Sequence, residues 1–202
     1  MRRMLVGVSL LATMATVQPA SAQAAPAKGA LPTWLVDKDH SDLSFRIRHL
    51  NGRVSGTIAI WHGTIALDPR NLASGKIDVY AYPATIDTQN EERDEHLRSA
   101  DFFDIQKYPV ITFKSRSVAQ AGQNITLTGD LTIKGITKPV TLTGKYNGVA
   151  KDARGRERIG VVASTKINRQ EFGLTWNRLV EGMTMVGDDV EVEIALEAVK
   201  KG

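Results

Sequence analysis

The stretch ITLTGDLTIKGITKPVTLTG, residues 125–144, decides the fold class because apolar residues recur in it at every second position. They alternate with threonines and lysines on both sides of a turn region at Gly135: Ile125, Leu127, Leu131, Ile133, Val140 and Leu142. A period of two puts the apolar side chains on one face of a strand and the polar ones on the other. The stretch therefore predicts two antiparallel-type strands, each with one wet face.

The same alternation continues on both sides of this stretch, as in SDLSFRIRH (residues 41–49) and VEVEIAL (residues 190–196). We count about eight short strands joined by tight turns, which predicts an all-β up-and-down barrel or a sandwich. An extended antiparallel eight-stranded barrel is favoured because sequential hairpins close their own edges. Small residues in the inward phase would leave room along the axis, although a filled core stays open as an alternative: Gly56, Ala81, Gly129, Gly144 and Ala163.

The alternation stops at Thr88, and a short helical insertion is predicted there. Thr88 and Glu91 fit a Thr-x-x-Glu capping box, which predicts a helix from about Gln89 to about Arg98. Leu97 would turn its face of the helix toward the protein, and Arg93 shares that face. The apolar pair Phe102-Phe103 follows, so we expect the insertion to close one end of the barrel.

The N-terminus predicts export. Arg2 and Arg3 precede an apolar run and the small-residue pattern Ala20-Ser21-Ala22, typical of a secretory signal peptide over residues 1–22 with cleavage after Ala22. Residues 23–33 would be a flexible leader, and residues 34–202 the barrel domain. No stretch is long and apolar enough for a membrane-spanning helix, so the mature protein is expected to be soluble and periplasmic.

Charge and residue usage exclude several classes of function. Removing Arg2 and Arg3 lowers the formal net charge from +4 to +2, and the signs are interleaved, so nucleic acid is not an expected partner. The chain has no cysteine, which excludes thiolate nucleophiles and disulfides. The four histidines lack the spacing of a metal site, so we predict no metal and no cofactor.

At the level of motifs, the chain resembles the YceI family, periplasmic proteins with a lipocalin-like barrel that bind polyisoprenoid or other long-chain lipids. The resemblance runs from Trp34 to Val199. It rests on Trp34-x-x-Asp37-x-x-His40-Ser41, Arg93-Asp94-x-His96-Leu97, Asp101-Phe102-Phe103-Asp104, Tyr108-Pro109-x-Ile111-Thr112-Phe113, the run from Gly129 to Val140, Asn168-Arg169-x-x-Phe172-Gly173 and Val186-Gly187-Asp188-x-Val190.

The resemblance implies an apolar tunnel with an isoprenoid tail inside, a polar head near one end, and no catalytic residue. It also makes a homodimer a reasonable expectation. The predicted ligand-binding residues are six aromatic side chains, one histidine in the inward phase and one arginine on the helix: Phe45, Phe102, Phe103, Phe113, Phe172, Trp176, His49 and Arg93.

Two alternatives of other classes remain open at this point. One is a hydrolase or isomerase that acts on a lipid through Asp94 and His96. The other is a secreted interaction module with a filled barrel and no ligand. The purely structural interpretation of Arg93, Asp94 and His96 is that they stabilise the helix and tie it to the barrel.

Overall fold

The segments in which apolar and polar residues alternate form the strands of the protein. We describe the fold from a computed structural model over residues 30–180 and 182–202. The predicted signal peptide and residues 23–29 of the leader lie outside this part. The strands are β1 (Thr33–Val36), β2 (Asp42–His49), β3 (Gly52–Ile58), β4 (Trp61–Asp68), β5 (Asn71–Ala81), β6 (Ile86–Asp87), β7 (Ile111–Ala121), β8 (Asn124–Ile133), β9 (Ile136–Lys151), β10 (Glu157–Asn168), β11 (Leu179–Val180), β12 (Met183–Thr184) and β13 (Val186–Lys200). The α-helix α1 is Glu91–Arg98.

Eight of these strands form a closed antiparallel barrel. The order around the ring is β1, β4, β5, β7, β8, β9, β10 and β13, and β13 pairs back with β1. Each strand from β4 to β10 pairs with the next strand of the ring along the chain, which is the meander that the sequence predicts. The predicted eight-stranded barrel with a short helix is confirmed.

The long strand β13 extends the barrel wall beyond this ring. Its last residues pair with β1, whereas Val186 and residues 190–195 pair with β2, so β1 and β2 follow one another along the same edge. The 3₁₀ turn Lys38–His40 separates them. β3 then pairs with β2, and the short β6 pairs with β3. Because α1 follows β6 closely in the chain, this arrangement sets the helix at one end of the barrel.

The helix begins two residues later than the sequence predicts. Asn90 is the N-cap, and its side-chain oxygen accepts a hydrogen bond from the amide of Arg93 at 2.9 Å. The predicted cap, Thr88, is buried and bonds the carboxylate of Asp94 instead, through its amide and its hydroxyl. Asn and Thr both cap helices, and the buried bond to Asp94 decides between them here. The predicted capping box is therefore wrong.

The end of the barrel opposite α1 is filled by an apolar core. We call this group the floor cluster: Trp34, Ile65, Leu67, Leu72, Val118, Ile125, Tyr146, Ile159 and Ala198. Trp34 is 1% exposed and its indole N–H donates to the carbonyl of Leu67 at 2.9 Å. Thr33, which the sequence assigns to the leader, is already the first residue of β1, and the carbonyl of Pro32 accepts from the amide of Leu67.

Candidate functional site

A cavity of about 610 Å³ runs inside the barrel above the floor cluster. Its wall is built from the inward-phase side chains that the alternation predicts. On β2 and β13 every predicted inward residue lines it: Leu43, Phe45, Ile47, His49, Val190, Val192, Ile194 and Leu196. The barrel is therefore not filled along its whole length. The volume of the cavity falls within the range typical of ligand-binding cavities, about 300–1,000 Å³.

Polar groups on the cavity wall are concentrated at the end that carries α1. We call this the helix end, formed by residues 88–104, 169–180 and 182–187. The charged, amide and imidazole side chains that line the cavity all come from here or from the adjacent end of β2: His49, Asn90, Glu92, Arg93, His96 and Arg169. Asn90 and Glu92 are exposed to solvent while also lining the cavity. The cavity thus opens to solvent beside the first turn of α1.

Arg93 lies half-buried at this opening. Its Nε donates to the hydroxyl of Thr88 and its Nη2 to the carbonyl of Thr88, both at 2.7 Å. Within residues 30–180 and 182–202 no carboxylate forms an ion pair with it. Two bonds to one residue fix the guanidinium plane, and the Asp94 carboxylate binds the same Thr88 hydroxyl without pairing directly with Arg93. Such a group can donate to an anionic or carbonyl oxygen that enters the cavity.

Asp94 and His96 point to different surroundings. Asp94 is 5% exposed and accepts from the Thr88 hydroxyl at 2.5 Å, which ties α1 to the end of β6. The Nε2 atom of His96 lies 2.9 Å from a carboxylate oxygen of Asp101. One helical turn separates Asp94 from Arg98 and Glu92 from His96, but these pairs do not form among the described residues, and Arg98 donates to the backbone carbonyls of Ala84 and Ile86 instead. The structure does not bring Asp94 and His96 together as an acid and base pair.

Four aromatic rings meet around the last turn of α1. The His96 ring makes edge contacts with Phe102 and Trp176, with ring centroids 5.1 and 4.8 Å apart. Phe102 and Trp176 also contact one another at 5.3 Å. Phe103 packs against the same cluster, and all four side chains line the cavity. The sequence-predicted residues Phe102, Phe103 and Trp176 are thus brought together at the helix end.

Two phenylalanines farther along the wall lie over glycines of neighbouring strands. A Cβ atom at Gly56 would come within 2.5 Å of the Phe45 ring, and one at Gly129 within 2.4 Å of the Phe113 ring. The rings occupy the space that a side chain would need there. The small residues at Gly56 and Gly129 therefore let large rings lie against the wall, which leaves the lumen open.

Phe172 is the one predicted site residue that does not line the cavity. It is 1% exposed and packs in a cluster with Ile133, Ile167 and Leu174, which do line the cavity. His49, by contrast, is in contact with the lumen at the end of β2, as its phase predicts. Seven of the eight predicted residues therefore surround one cavity, and Phe172 packs against residues that line it.

Sequence reasoning missed Arg169, a buried arginine that holds the helix end together. Its side chain is 2% exposed and donates to the carbonyls of Gly187 at 2.7 Å and Trp176 at 2.8 Å, as well as to that of Leu174. Burial lowers the pKa of its guanidinium, while the nearby charge of Asp188 acts in the opposite direction. A charged residue is normally expected on the surface, so sequence alone did not predict that Arg169 is buried. The only signal was the place of Arg169 in the Asn168-Arg169-x-x-Phe172-Gly173 motif.

An ion-pair network braces the outside of the floor. Arg158 donates to Asp37 at 2.6 Å, to Glu197 at 3.1 Å and to Asp152 at 3.2 Å, which joins the β1–β2 junction, β13 and the β9–β10 turn. Burial acts to raise the pKa of Asp152, but hydrogen bonds from Arg156, Arg158 and Arg154 outweigh it and lower the pKa to about 2. This network stabilises the closed end.

Neither a metal site nor a membrane-spanning helix is found in the part of the chain that the structure describes. Across residues 30–180 and 182–202, no three acidic, histidine or cysteine side chains cluster in a way that could hold a metal ion. In the same part of the chain, no helix has the length and apolarity needed to cross a membrane.

Comparison with known proteins gives a consistent family assignment. Residues 34–198 match the model of the YceI-like domain. Protein YceI of Escherichia coli O17:K52:H18 is 38% identical over 169 residues, which covers 82% of this chain and 86% of that protein. The crystal structure of the Campylobacter jejuni YCEI protein is 32% identical and superposes with a TM-score of 0.67, covering 77% of this chain and 90% of that one.

A third similar protein shares the fold at low sequence identity. It is a polyisoprenoid binding domain from Saccharophagus degradans implicated in plant cell wall breakdown, 13% identical, with a TM-score of 0.65. The match covers 83% of this chain and 98% of that one. At this identity the likeness shows the fold alone.

Proposed function

Because the chain belongs to the YceI family, we propose that it binds a long-chain isoprenoid lipid inside its barrel and sequesters or carries it in the periplasm. A polyprenyl phosphate or a quinone with an isoprenoid tail fits this description. The observation that carries the proposal is the cavity of about 610 Å³ with largely apolar walls and with its charged, amide and imidazole side chains at one end. The Saccharophagus degradans domain, a polyisoprenoid binder with the same fold, is consistent with it.

Burial of the tail is the source of affinity in this proposal. Each methylene moved from water to an apolar site contributes about 0.8 kcal/mol, so a long tail needs few polar contacts. The wall residues of β2, β8, β10 and β13 offer such a site without a charged side chain in the middle of the barrel. The lipid would be held by its length rather than by a dense network of hydrogen bonds.

The polar head would lie at the helix end, beside Arg93. The guanidinium is held by Thr88 and is free of carboxylate partners among the described residues, so it can donate to a phosphate or a quinone carbonyl. The aromatic cluster of Phe102, Phe103, Trp176 and His96 would surround the first part of the tail. Removal of a signal peptide over residues 1–22 would place this binding protein in the periplasm.

Catalysis through Asp94 and His96 gains no support from their geometry, since each is engaged by a different partner. A ligand-free interaction module does not explain an apolar cavity that opens to solvent. The homodimer stays a prediction, as does the absence of a nucleic-acid partner.

Native mass spectrometry of protein purified from a periplasm, followed by solvent extraction, tests the proposal. The wild type is expected to carry a long-chain isoprenoid. Val192→Phe, which adds a ring to the inner wall, should lose most of it. Val162→Phe makes the same change on the outer surface, where Val162 is 43% exposed, and should retain it. Circular dichroism checks that both variants fold.

An empty wild-type barrel, or equal lipid content in the inner-wall and outer-wall variants, would contradict the proposal. If Val192→Phe does not fold, Ile194→Phe places the same ring one inward position along β13 and serves the same purpose.

A further inference from the structure

The floor cluster contains a buried polar group without a partner. Tyr146 is 7% exposed, and its hydroxyl has no hydrogen-bond partner among the residues that the structure describes. An unsatisfied buried hydroxyl is unfavourable, so a phenylalanine would suit a purely structural core position better. Burial also raises the pKa of Tyr146 above its ordinary value.

Tyr146 belongs to the cluster that closes the cavity at the floor. It pairs across the sheet with Val161, and Val161 pairs in turn with Leu196. Directly paired residues point to the same face of a sheet, so the Tyr146 side chain points into the barrel beside them. Val161 and Leu196 line the cavity, and so do Ile65, Leu67 and Ile159 of the floor cluster, whereas Tyr146 packs in that cluster without lining the cavity. The phenol ring therefore fills space behind the floor residues at which the cavity stops.

The two largest side chains of the floor differ in how they are held. The indole of Trp34 is fixed by its bond to the carbonyl of Leu67, and Trp34 also lies in a strand paired on both sides. The polar end of Tyr146 has no such bond. Among the large residues of the floor cluster, Tyr146 is thus the one whose ring is positioned by packing alone.

We propose that Tyr146 sets the depth of the cavity and so determines the longest isoprenoid chain that the barrel accepts in full. This inference rests on the proposed function and names the specificity residue of the same site. Chains that end above the ring are buried completely. Longer chains must either displace the ring or leave their head outside the helix end, which forfeits burial of the last units.

The test measures the affinity of prenols of increasing length, from geraniol to decaprenol, for the wild type and three variants of the full mature chain. For the wild type we expect affinity to rise with each isoprene unit and then to stop rising at a break. Tyr146→Ala should move this break to longer chains by about one isoprene unit, because the phenol removed is similar in size to one unit. Tyr146→Phe keeps the ring and should leave the break in place, with an unchanged or higher melting temperature.

Phe102→Ala is the matched control, since it removes a buried ring at the opposite end of the same cavity. It should weaken binding of all lengths without moving the break. A break that stays fixed in Tyr146→Ala, or that moves equally in Phe102→Ala, would overturn the depth role. A shift in Tyr146→Phe would also overturn it, because the hydroxyl rather than the ring would then decide. A wild type that binds no prenol of any length would instead refute the proposed function. If Tyr146→Ala does not fold, Tyr146→Leu tests the same shift with less lost volume.

Discussion

The two ends of the barrel are held together by different kinds of interaction. The floor is an apolar cluster around Trp34, closed by hydrogen-bonded strands and braced outside by the ion pairs of Arg158. The helix end is held by side-chain bonds to backbone, from Arg169 and between Thr88 and Asp94, and it exposes polar side chains to the cavity. The contrast teaches that one end serves stability, whereas the other can admit and orient a ligand.

The largest expected effect compares one tryptophan from each end. Trp34→Ala should lower the free energy of unfolding by about 3–5 kcal/mol, because it empties a buried site in the floor. Trp176→Ala, at a half-buried residue of the cavity wall, should cost less stability but weaken lipid binding. Urea unfolding and a lipid-binding titration measure both. If Trp34→Ala costs no more stability than Trp176→Ala, the two ends do not differ as described.

A second change tests whether the wall phenylalanines keep the lumen open. Gly56→Ala would bring a methyl within 2.5 Å of the Phe45 ring and 2.8 Å of Thr88, which Asp94 holds in place. The ring must shift toward the lumen, at a cost of about 1–3 kcal/mol in stability. Weaker prenol binding is expected. Gly52→Ala on the same strand, where the nearest atom is 3.7 Å away, is the control and should change neither quantity.

A third change separates the head from the tail. Arg93→Gln should weaken binding of a prenyl phosphate about tenfold or more, since a charge-assisted hydrogen bond is lost. Binding of the uncharged prenol of the same length should change much less. Arg98→Gln is the control on the same helix, because Arg98 bonds carbonyls of Ala84 and Ile86 and does not line the cavity. Equal losses for phosphate and prenol, measured by titration calorimetry, would contradict a head group beside Arg93.

The smallest effect is a pH dependence at the floor. The folded pKa of Asp152 is about 2, below the value of about 3.9 for an unfolded chain. Its contribution to stability is therefore present above pH 4 and is lost as the pH falls toward 2. Asp152→Asn should flatten the acid side of the stability profile, measured as the urea midpoint against pH. A profile unchanged by this substitution would show that the ion-pair network does not brace the floor.

The strands and the wall of the cavity could be predicted from the sequence because alternation reports directly which side chains share a face. Leu43, Phe45, Ile47 and His49 all line the lumen as their phase requires. Where two local signals compete, sequence does not decide: Thr88 and Asn90 are both good caps, and only the buried contact with Asp94 selects Asn90.

The sequence does not predict the environment of a residue when that environment is set by partners far away along the chain. Arg169 is buried because carbonyls from a later loop and from β13 surround it, and nothing in its neighbours along the chain announces that. Phe172 is a large apolar residue, yet it ends the 3₁₀ turn Arg169–Phe172 and is buried in a side-chain cluster without lining the cavity. Tyr146 has the right phase for the lumen, but its unsatisfied hydroxyl emerges only from the packing of the floor.

The most direct test of the central claim is the orientation of a bound lipid. Methyl NMR spectra of Ile, Leu and Val residues, recorded with a prenol that carries a nitroxide at its head, report the distance of each methyl from the spin label. We predict strong broadening of Leu97 and Val186 at the helix end, and little at Ile65 and Leu67 on the floor. The unlabelled prenol should shift the methyls of Leu131 and Ile194 inside the barrel. Broadening strongest at the floor, or shifts confined to outer-surface residues such as Leu35, would contradict the account.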